Sequence, residues 1–215
     1  MKHITFHLDF ISPYAYLAFE QLPVILQGIS YSVDSRPVLF AGMLKHHGQL
    51  GPAEIIPKRD WTYRQVMWLA HSLNIPLKIP ASHPFNPLPI LRLAIACNVT
   101  TTGKTNRYVC ENIFRHVWQG GFEAGNTQRL ETLIKQLQPS HDLQSEDVKN
   151  CLKNNTDQAI AHGVFGVPAF AVGDKVFWGL DSLPMLRDYM LGATWFQGSE
   201  WESVSRVGSG VKRNA

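Results

Sequence analysis

The chain has 215 residues, 45% of them hydrophobic, which is enough for one large hydrophobic core or two smaller ones. Its net charge of +3 is spread without a basic block, so composition gives little support for nucleic-acid binding. Cys97, Cys110 and Cys151 form no Cys-x-x-Cys pair, which argues against a disulfide framework or a thiolate metal site. With no signal-like or membrane-spanning apolar run, we expect a cytoplasmic protein that does not enter a membrane.

The first predicted elements are a strand and the helix that follows it. Apolar residues occupy alternate positions from Ile4 to Phe10, as in a strand with one buried face. Helical spacing begins after Ser12 and stops at Gly28, with Pro13 at the first helical position, where a missing N–H has no cost. Ser12 is therefore predicted to cap the helix, and an anion beside it would be stabilised by the helix dipole. The simpler interpretation, that Ser12 is only a cap, stays open.

The elements that follow complete a βαβ unit and then become helical. Residues 29–35 alternate again and are closed by Arg36-Pro37, which predicts a second strand parallel to the first. From residue 39 to 162 the pattern contains no convincing strand. Helices are predicted at residues 57–73, 88–97, 106–118 and 128–137, another is capped by Ser145, and residues 46–57 form a loop. Met67 is expected on the buried face of the first of these helices, and Trp61, Trp68 and Trp118 in the core.

Strands return near the end of the chain. Residues 167–172 and 175–179 flank Gly173-Asp174, which predicts a hairpin, and Asp181 or Ser182 is expected to cap a last helix. The order βαβ, helices, ββα predicts an α/β fold with a thioredoxin-like domain and a large all-helical insertion. The expected divisions are residues 1–38 and 163–200 for the thioredoxin-like domain, 39–162 for the inserted helical domain and 201–215 for a flexible tail.

The junction of the first strand and first helix is where redox proteins of this fold carry Cys-x-x-Cys. This chain has Ser12-Pro13-Tyr14-Ala15 there, so it cannot perform thiol–disulfide exchange by itself. The Ser12 hydroxyl and the helix N-terminus can instead hold a thiolate that a ligand brings.

Two further motifs are predicted to lie near Ser12. Val167-Pro168 opens a strand at the place where thioredoxin-like folds carry a cis proline, which leaves the preceding backbone free to pair with an extended peptide. An ordinary trans proline at an edge strand is the alternative. Asp181, after Phe177-Trp178-Gly179, is positioned to hold an ammonium group, although a carboxylate at a helix start is more often a cap.

Three motifs in register resemble those of one family. They are Phe-x-x-Asp-Phe-x-Ser-Pro-Tyr at the start, Pro-x-x-x-x-Pro-Lys-Arg at residues 52–59, and Gly-Val-Phe-Gly-Val-Pro with Phe-Trp-Gly-x-Asp near the end. The resemblance, over residues 3 to 192, is to the 2-hydroxychromene-2-carboxylate isomerases and the related kappa-class glutathione transferases. It implies a fold similar to that of the disulfide oxidoreductase DsbA, a homodimer and glutathione as cofactor.

The resemblance also implies roles for individual residues. Ser12 would hydrogen-bond the glutathione sulfur and keep it as a thiolate, and Val167, followed by cis Pro168, would pair with the cysteinyl backbone. Leu180 and Asp181 match the pair that receives the γ-glutamyl end, and Gln49 approximately matches another glutathione contact. Family members commonly carry Asn or Ser at the position of Leu180, and usually Asn at the position of Gln49.

The implied activity is isomerisation of a small aromatic carboxylate through a transient glutathione adduct, a step in aromatic-compound degradation. The expected substrate contacts are Lys45 for the carboxylate, with His83 and Asn86 in the proline-rich segment 80–89. A kappa-type transferase that conjugates electrophiles is the nearest alternative. A non-catalytic thioredoxin-like module that binds peptides is a more distant one, since it leaves Ser-Pro-Tyr unexplained.

Overall fold

The computed structural model describes residues 1–98, 103–208 and 210. The strands are β1 (Lys2–Leu8), β2 (Tyr31–Pro37), β3 (Ala169–Val172) and β4 (Lys175–Trp178). The helices are α1 (Pro13–Ile25), α2 (Phe40–His46), α3 (Ile56–Ser72), α4 (Leu88–Ala96), α5 (Arg107–Trp118), α6 (Thr127–Leu137), α7 (Glu146–Ala161), α8 (Leu183–Leu191) and α9 (Ser199–Ser203). No helix among the described residues is long and apolar enough to cross a membrane.

The strands form one sheet in the order β2-β1-β3-β4 within the described part of the chain. β1 runs parallel to β2, so the predicted βαβ unit is confirmed. β3 pairs antiparallel with β1 and with β4, and the predicted hairpin turns at Gly173, whose φ of +63° lies in the left-handed region. This topology places the carboxyl end of β1, the first turn of α1 and the start of β3 at the same edge of the sheet.

The core joins the sheet to the helices of the segment 39–162. The alternating residues of β1 and the turn after it, from Ile4 to Phe10, are buried as predicted. Phe114 of α5 lies with its ring 4.8 Å from that of Phe10 and 5.2 Å from that of Phe19. Burying each such ring contributes roughly 2–3 kcal/mol. The sheet and the helical segment therefore share one continuous core.

The opposite face of the sheet is also covered. Val38, Met43 and Ala159 form a second buried cluster with Ala169 on this side. His7 is only 5% exposed, because alternate residues of β1 point to this second face rather than to the phenylalanine core. Burial and, to a smaller extent, the electrostatic effects of Arg36 and His162 lower the pKa of His7 to about 4.

Three expectations about side chains in the helices are wrong. Trp61 and Trp68 are 62% and 65% exposed, and only Trp118 of the three tryptophans is in the core. α3 buries Val66 and Ala70, four residues apart on one face. Trp61 and Trp68 are seven residues apart on another face, and Met67, one step round the helix from Val66, is exposed as well.

Ser182 occupies the N-cap position of the last helix, as predicted, but its side chain does not cap the helix. A 3-10 turn, Leu180–Ser182, precedes α8, and neither Asp181 nor Ser182 makes a capping hydrogen bond from its side chain in the described structure. The Ser182 hydroxyl donates instead to the Gly179 carbonyl at 2.8 Å. Gly179 starts this turn with a φ of +94°.

Part of the expected flexible tail is helical. α9 and a following 3-10 turn, Val204–Arg206, extend into it, and the Trp201 ring lies 5.3 Å from that of Phe196. Residues 209 and 211–215, with the Lys212 and Arg213 of the predicted tail, lie outside the described residues. The predicted division into two domains and a tail stays a prediction.

The buried His7 predicts how stability depends on pH. The unfolded chain binds more protons than the folded one between pH 6.5, the ordinary pKa, and about 4. The stability supplied by neutral His7 is therefore complete above pH 6.5 and lost as the pH falls through this window, by at most about 3 kcal/mol.

We expect His7→Leu to flatten this part of the stability curve, measured by urea unfolding at several pH values between 4 and 7. His46, which is exposed on α2, offers a control. If His46→Leu flattens the curve as much as His7→Leu, burial of His7 is not the cause.

Candidate functional site

Ser12 forms the N-terminal cap of α1, as the sequence predicted. Its backbone is extended, and its Oγ accepts a hydrogen bond from the Ala15 N–H at 3.2 Å, with Pro13 at the first helical position. The side chain is buried beneath the surface of the site, with 8% of the residue exposed. Because α1 has 13 residues, the positive end of a full helix dipole points at this place.

The start of β3 lies directly across from Ser12. The Ser12 hydroxyl donates to the Val167 carbonyl at 3.4 Å, and the Val167–Pro168 peptide bond is cis, as predicted. A hydrogen bond of this length is weak, so the same hydroxyl is available to a stronger acceptor. A thiolate sulfur is such an acceptor, since hydrogen bonds to charged groups are stronger than those to neutral ones.

The carbonyl groups of the turn between β1 and α1 are held by side chains of the helical segment. Trp118 Nε1 donates to the Phe10 carbonyl at 3.0 Å. His83 Nε2 lies 2.8 Å from the Ile11 carbonyl, in the peptide bond that joins Ile11 to Ser12. The helical segment therefore fixes the backbone that carries Ser12.

The N–H groups of the same turn are held by Asp9. The Ile11 N–H donates to Asp9 Oδ1 at 3.1 Å, and the Ser12 N–H donates to the Asp9 carbonyl at 3.1 Å. Asp9 Oδ2 accepts from the Phe40 N–H at 2.9 Å, which ties the start of α2 to the turn. Burial raises the pKa of Asp9 to about 7 and outweighs the two backbone hydrogen bonds, which lower it.

His83 connects the turn to α3. Its Nδ1 lies 2.7 Å from the Tyr63 hydroxyl, which is also 3.0 Å from the His83 carbonyl. Burial lowers the pKa of His83, so the ring is neutral near pH 7. A carbonyl only accepts hydrogen bonds, which assigns the proton to Nε2 and leaves Nδ1 to accept from Tyr63.

The mouth of the site brings Asp181 to the start of α1. The 3-10 turn that carries Asp181 packs against α1, and the pKa of Tyr14 in the first turn of α1 is raised by burial and then by the negative charge of Asp181. The Gly179 N–H donates to the Pro168 carbonyl at 2.9 Å, which joins the Asp181 turn to the proline strand. Asp181 is exposed, and its neighbour Leu180 is half-buried. Ser12, Val167, Pro168 and Asp181 thus converge.

Other sequence-predicted residues lie apart from this group. Lys45 and Gln49 are exposed, Lys45 at the end of α2 and Gln49 in the loop after it, and neither side chain is hydrogen-bonded to the Ser12 turn in the described structure. Asn86 is also exposed, and its Oδ1 accepts from the Leu88 N–H at the start of α4. Of the three predicted substrate contacts, only His83 reaches the Ser12 turn.

Sequence reasoning missed Asp9 and Tyr63. Asp9 carried one signal, because an acidic residue between Leu8 and Phe10 interrupts an apolar stretch. Tyr63 carried no signal of its own, because His83, the partner of its hydroxyl, lies 20 residues further along the chain. The three cysteines are free; burial raises the pKa of Cys97 to about 11 and that of Cys110 to about 12, and also raises that of Cys151.

The arrangement suits a ligand that carries a sulfur anion and an extended backbone. Ser12 supplies a donor, α1 supplies the dipole, and the residue before cis Pro168 supplies backbone groups. Among residues 1–98, 103–208 and 210, no group of three or more His, Cys, Asp or Glu side chains is placed to hold a metal ion.

Comparison with known proteins identifies relatives over almost the whole chain. Residues 3–191 match the family model of the DSBA-like thioredoxin domain. Glutathione S-transferase kappa 2 of Caenorhabditis elegans is 26% identical over 208 residues, covering 88% of this chain and 92% of the relative. The 2-hydroxychromene-2-carboxylate isomerase of Sphingobium xenophagum is 26% identical over 197 residues, covering 88% and 98%.

A solved structure shows the same fold. The structure of a 2-hydroxychromene-2-carboxylate isomerase aligns with a TM-score of 0.75 at 24% identity, covering 93% of this chain and 98% of that one. The predicted fold class, a DsbA-like thioredoxin fold with mixed helices and strands, is therefore confirmed, and so is the family resemblance of the sequence motifs.

The buried Asp9 predicts a second pH effect, opposite in sign to that of His7. The folded chain binds more protons than the unfolded one between pH 3.8 and about 7, because folding raises the pKa of this carboxyl group. The stability that protonated Asp9 supplies is therefore complete below pH 3.8 and lost as the pH rises towards 7.

We expect the free energy of unfolding of Asp9→Asn to rise relative to that of the natural protein by on the order of 1–3 kcal/mol between pH 4 and 7.5. Urea unfolding at several pH values measures this difference. Asp34→Asn is the control variant, because Asp34 is a carboxylate on β2 that lies near Lys104. Equal pH profiles for Asp9→Asn and the natural protein would contradict the assignment.

Proposed function

The chain belongs to the DSBA-like thioredoxin domain family, and on that premise we propose that it is a glutathione-dependent isomerase of small aromatic carboxylates. One observation carries the proposal: a serine without any neighbouring cysteine caps α1 and faces the residue before a cis proline. A site of this kind can stabilise a thiolate but has no sulfur of its own. Relatives named as isomerases and as kappa glutathione transferases support the choice of ligand.

Ser12 and α1 hold the thiolate in this proposal. The Ser12 hydroxyl turns from the Val167 carbonyl, where its hydrogen bond is 3.4 Å long, to the sulfur of glutathione. It continues to accept from the Ala15 N–H, so the cap is kept. The helix dipole lowers the free energy of the anion further. Together these interactions lower the pKa of the bound thiol.

The remaining proposed contacts are to the cysteinyl residue and the γ-glutamyl end of glutathione. The backbone of Val167 pairs with the cysteinyl residue, as in other strand-like additions beside a proline. Asp181 receives the ammonium group of the γ-glutamyl end, and Leu180 contributes a backbone contact. Gln49 is proposed as a further contact. Its exposed position after α2 allows a different rotamer to approach the ligand.

The substrate is proposed to be 2-hydroxychromene-2-carboxylate, interconverted with trans-o-hydroxybenzylidenepyruvate, or a similar aromatic carboxylate. Bound glutathione supplies the sulfur nucleophile that adds to the conjugated chain and leaves again after rotation about the former double bond. Lys45 is proposed to hold the carboxylate, with His83 and Asn86 as further substrate contacts. Lys45 makes no ion pair in the described part of the chain, so its charge is available.

Location and assembly are part of the same proposal. We propose a cytoplasmic homodimer that acts in the degradation of aromatic compounds. The dimer has support in the exposed face of α3, where Trp61 and Trp68 lie seven residues apart on the surface. Exposed aromatic residues that share one helix face are typical of protein interfaces.

The proposed role of Ser12 predicts a difference between two serine caps. Ser145 caps α7 as Ser12 caps α1, by accepting from the Val148 N–H at 3.4 Å. Ser12→Ala and Ser145→Ala should each lose about 1 kcal/mol of stability. Only Ser12→Ala should raise the pKa of bound glutathione, by about one unit, because it alone removes a hydrogen bond to the thiolate.

The measurement is a pH titration of the thiolate ultraviolet absorbance with glutathione bound, together with urea unfolding of both variants. The same thiol pKa in Ser12→Ala and Ser145→Ala would show that Ser12 is only a cap.

A second candidate function is conjugation by a kappa-type glutathione transferase, which the similarity to the Caenorhabditis elegans protein favours. We expect hydroxychromene carboxylate to be isomerised with glutathione recovered unchanged, since the thiol is expelled after rotation. Chromatography of the products measures this directly. A stable thioether as the main product would favour the transferase instead. If calorimetry detects no glutathione binding, a thioredoxin-like module for peptides becomes the better interpretation.

A further inference from the structure

The Tyr63–His83 pair is a hydrogen-bonded system that ends at the Ser12 turn. His83 Nε2 lies 2.8 Å from the Ile11 carbonyl, and Nδ1 lies 2.7 Å from the Tyr63 hydroxyl. The same hydroxyl is 3.0 Å from the His83 carbonyl. The ring is enclosed by aromatic neighbours, with Trp118 at 5.5 Å and Phe85 at 5.9 Å between ring centres.

These distances satisfy both protonation states of His83. When the ring is neutral, Nε2–H donates to Ile11 and Nδ1 accepts from Tyr63. When the ring is protonated, Nδ1–H donates to the Tyr63 oxygen, and the Tyr63 hydroxyl rotates its hydrogen to the His83 carbonyl. No heavy atom has to move: the single hydrogen of the Tyr63 hydroxyl is given to Nδ1 when the ring is neutral and to the His83 carbonyl when the ring is protonated.

We propose that His83 takes up the proton that glutathione loses when its sulfur becomes a thiolate beside Ser12, with Tyr63 as the partner that accommodates the proton. This inference rests on the proposed function, because it needs glutathione at Ser12. The S–H bond breaks, its electron pair stays on sulfur, and the proton forms an N–H bond at His83 Nδ1. The site therefore gains one anion and one cation, and its net charge does not change.

The position of His83 explains why its proton affinity follows the ligand. Burial keeps the ring neutral in the free protein. The Ile11–Ser12 peptide group, which His83 contacts, leads directly to the Ser12 side chain that would hold the thiolate, and a nearby anion favours the protonated ring. The cation in turn stabilises the thiolate, so the two charges form together.

Other titratable groups lie near the pair, and Asp9 is one whose pKa is also close to neutral. Arg59 and Asp60 on α3 act on Tyr63 with opposite signs. Asp9 lies on the other side of Ile11, and Glu123 accepts a hydrogen bond from Ser82 in the loop that carries His83. In the described part of the chain, burial and the Ile11 hydrogen bond account for the pKa of His83, without a charged partner.

The number of protons released on binding tests the proposal. Glutathione is titrated into the protein by calorimetry at neutral pH in two buffers of different ionisation enthalpy, while ultraviolet absorbance reports the thiolate. We expect the natural protein to release almost no proton to the buffer. His83→Gln, which keeps an N–H for the Ile11 carbonyl, should release close to one proton for each thiolate formed.

Two further variants separate this role from a structural one. Tyr63→Phe removes the partner of the protonated ring, so it should also release close to one proton for each thiolate formed. This variant keeps the test available if His83→Gln does not fold. His116→Gln is the matched control, because His116 is another partly buried histidine with Nε2 against a carbonyl, that of Ala124 at 2.9 Å. His116→Gln should release as few protons on glutathione binding as the natural protein.

The outcomes distinguish this inference from the proposed function. If the natural protein forms the thiolate and releases about one proton, as do all the variants, His83 is not the acceptor although the glutathione site stands. If the natural protein binds no glutathione or forms no thiolate, the proposed function fails and this inference fails with it.

Discussion

The turn between β1 and α1 is held by hydrogen bonds from two distant parts of the chain and from Asp9 within the turn itself. Trp118 and His83, both in the helical segment, hold its carbonyl groups, and Asp9 holds the Ile11 N–H. Every other property of the site depends on this constraint, because Ser12 can face the Val167 carbonyl only if the turn has a fixed shape. A backbone fixed before the ligand arrives does not lose conformational entropy when the ligand binds.

Two of the groups that fix the turn, Asp9 and His83, are buried and titratable, and burial dominates the pKa of each. Asp9 binds the N–H of Ile11, and His83 binds its carbonyl. Burial raises the pKa of Asp9 and lowers that of His83, so both groups favour their neutral forms. A neutral surrounding is suited to an incoming anion, since a fixed carboxylate beside Ser12 would repel a thiolate. A new charge at Ser12 would interact strongly with the neighbouring groups, because the local dielectric constant is low.

The absence of a cysteine at the start of α1 changes the chemistry that the fold can perform. In redox relatives of this architecture the helix dipole stabilises a thiolate of the protein itself. Here the cap is Ser12, so under the proposed function the dipole, the hydroxyl and the backbone before cis Pro168 act on a sulfur that arrives with a ligand. The large helical segment supports the backbone of this site through Tyr63 of α3 and the loop that carries His83.

The sequence by itself determined the features that depend on neighbours along the chain. The Ser12 cap, the alternation of β1, the hairpin at Gly173 and the order of elements are all local, because caps, strand alternation and turns involve residues a few positions apart. The place of Val167-Pro168 in the thioredoxin-like order of elements predicted the cis bond. These features were enough to identify the fold and the centre of the site.

Only the tertiary structure decided which helix faces are covered and which distant groups meet. Periodicity shows that α3 has faces but not which one a neighbour covers, so Trp61 and Trp68 were expected inside and lie outside. The contact of His83 with Ile11 spans 72 residues, and that of Asp9 with Phe40 spans 31. Hydrogen bonds over such separations depend on how the sheet and the helical segment pack together, and no local pattern in the sequence records them.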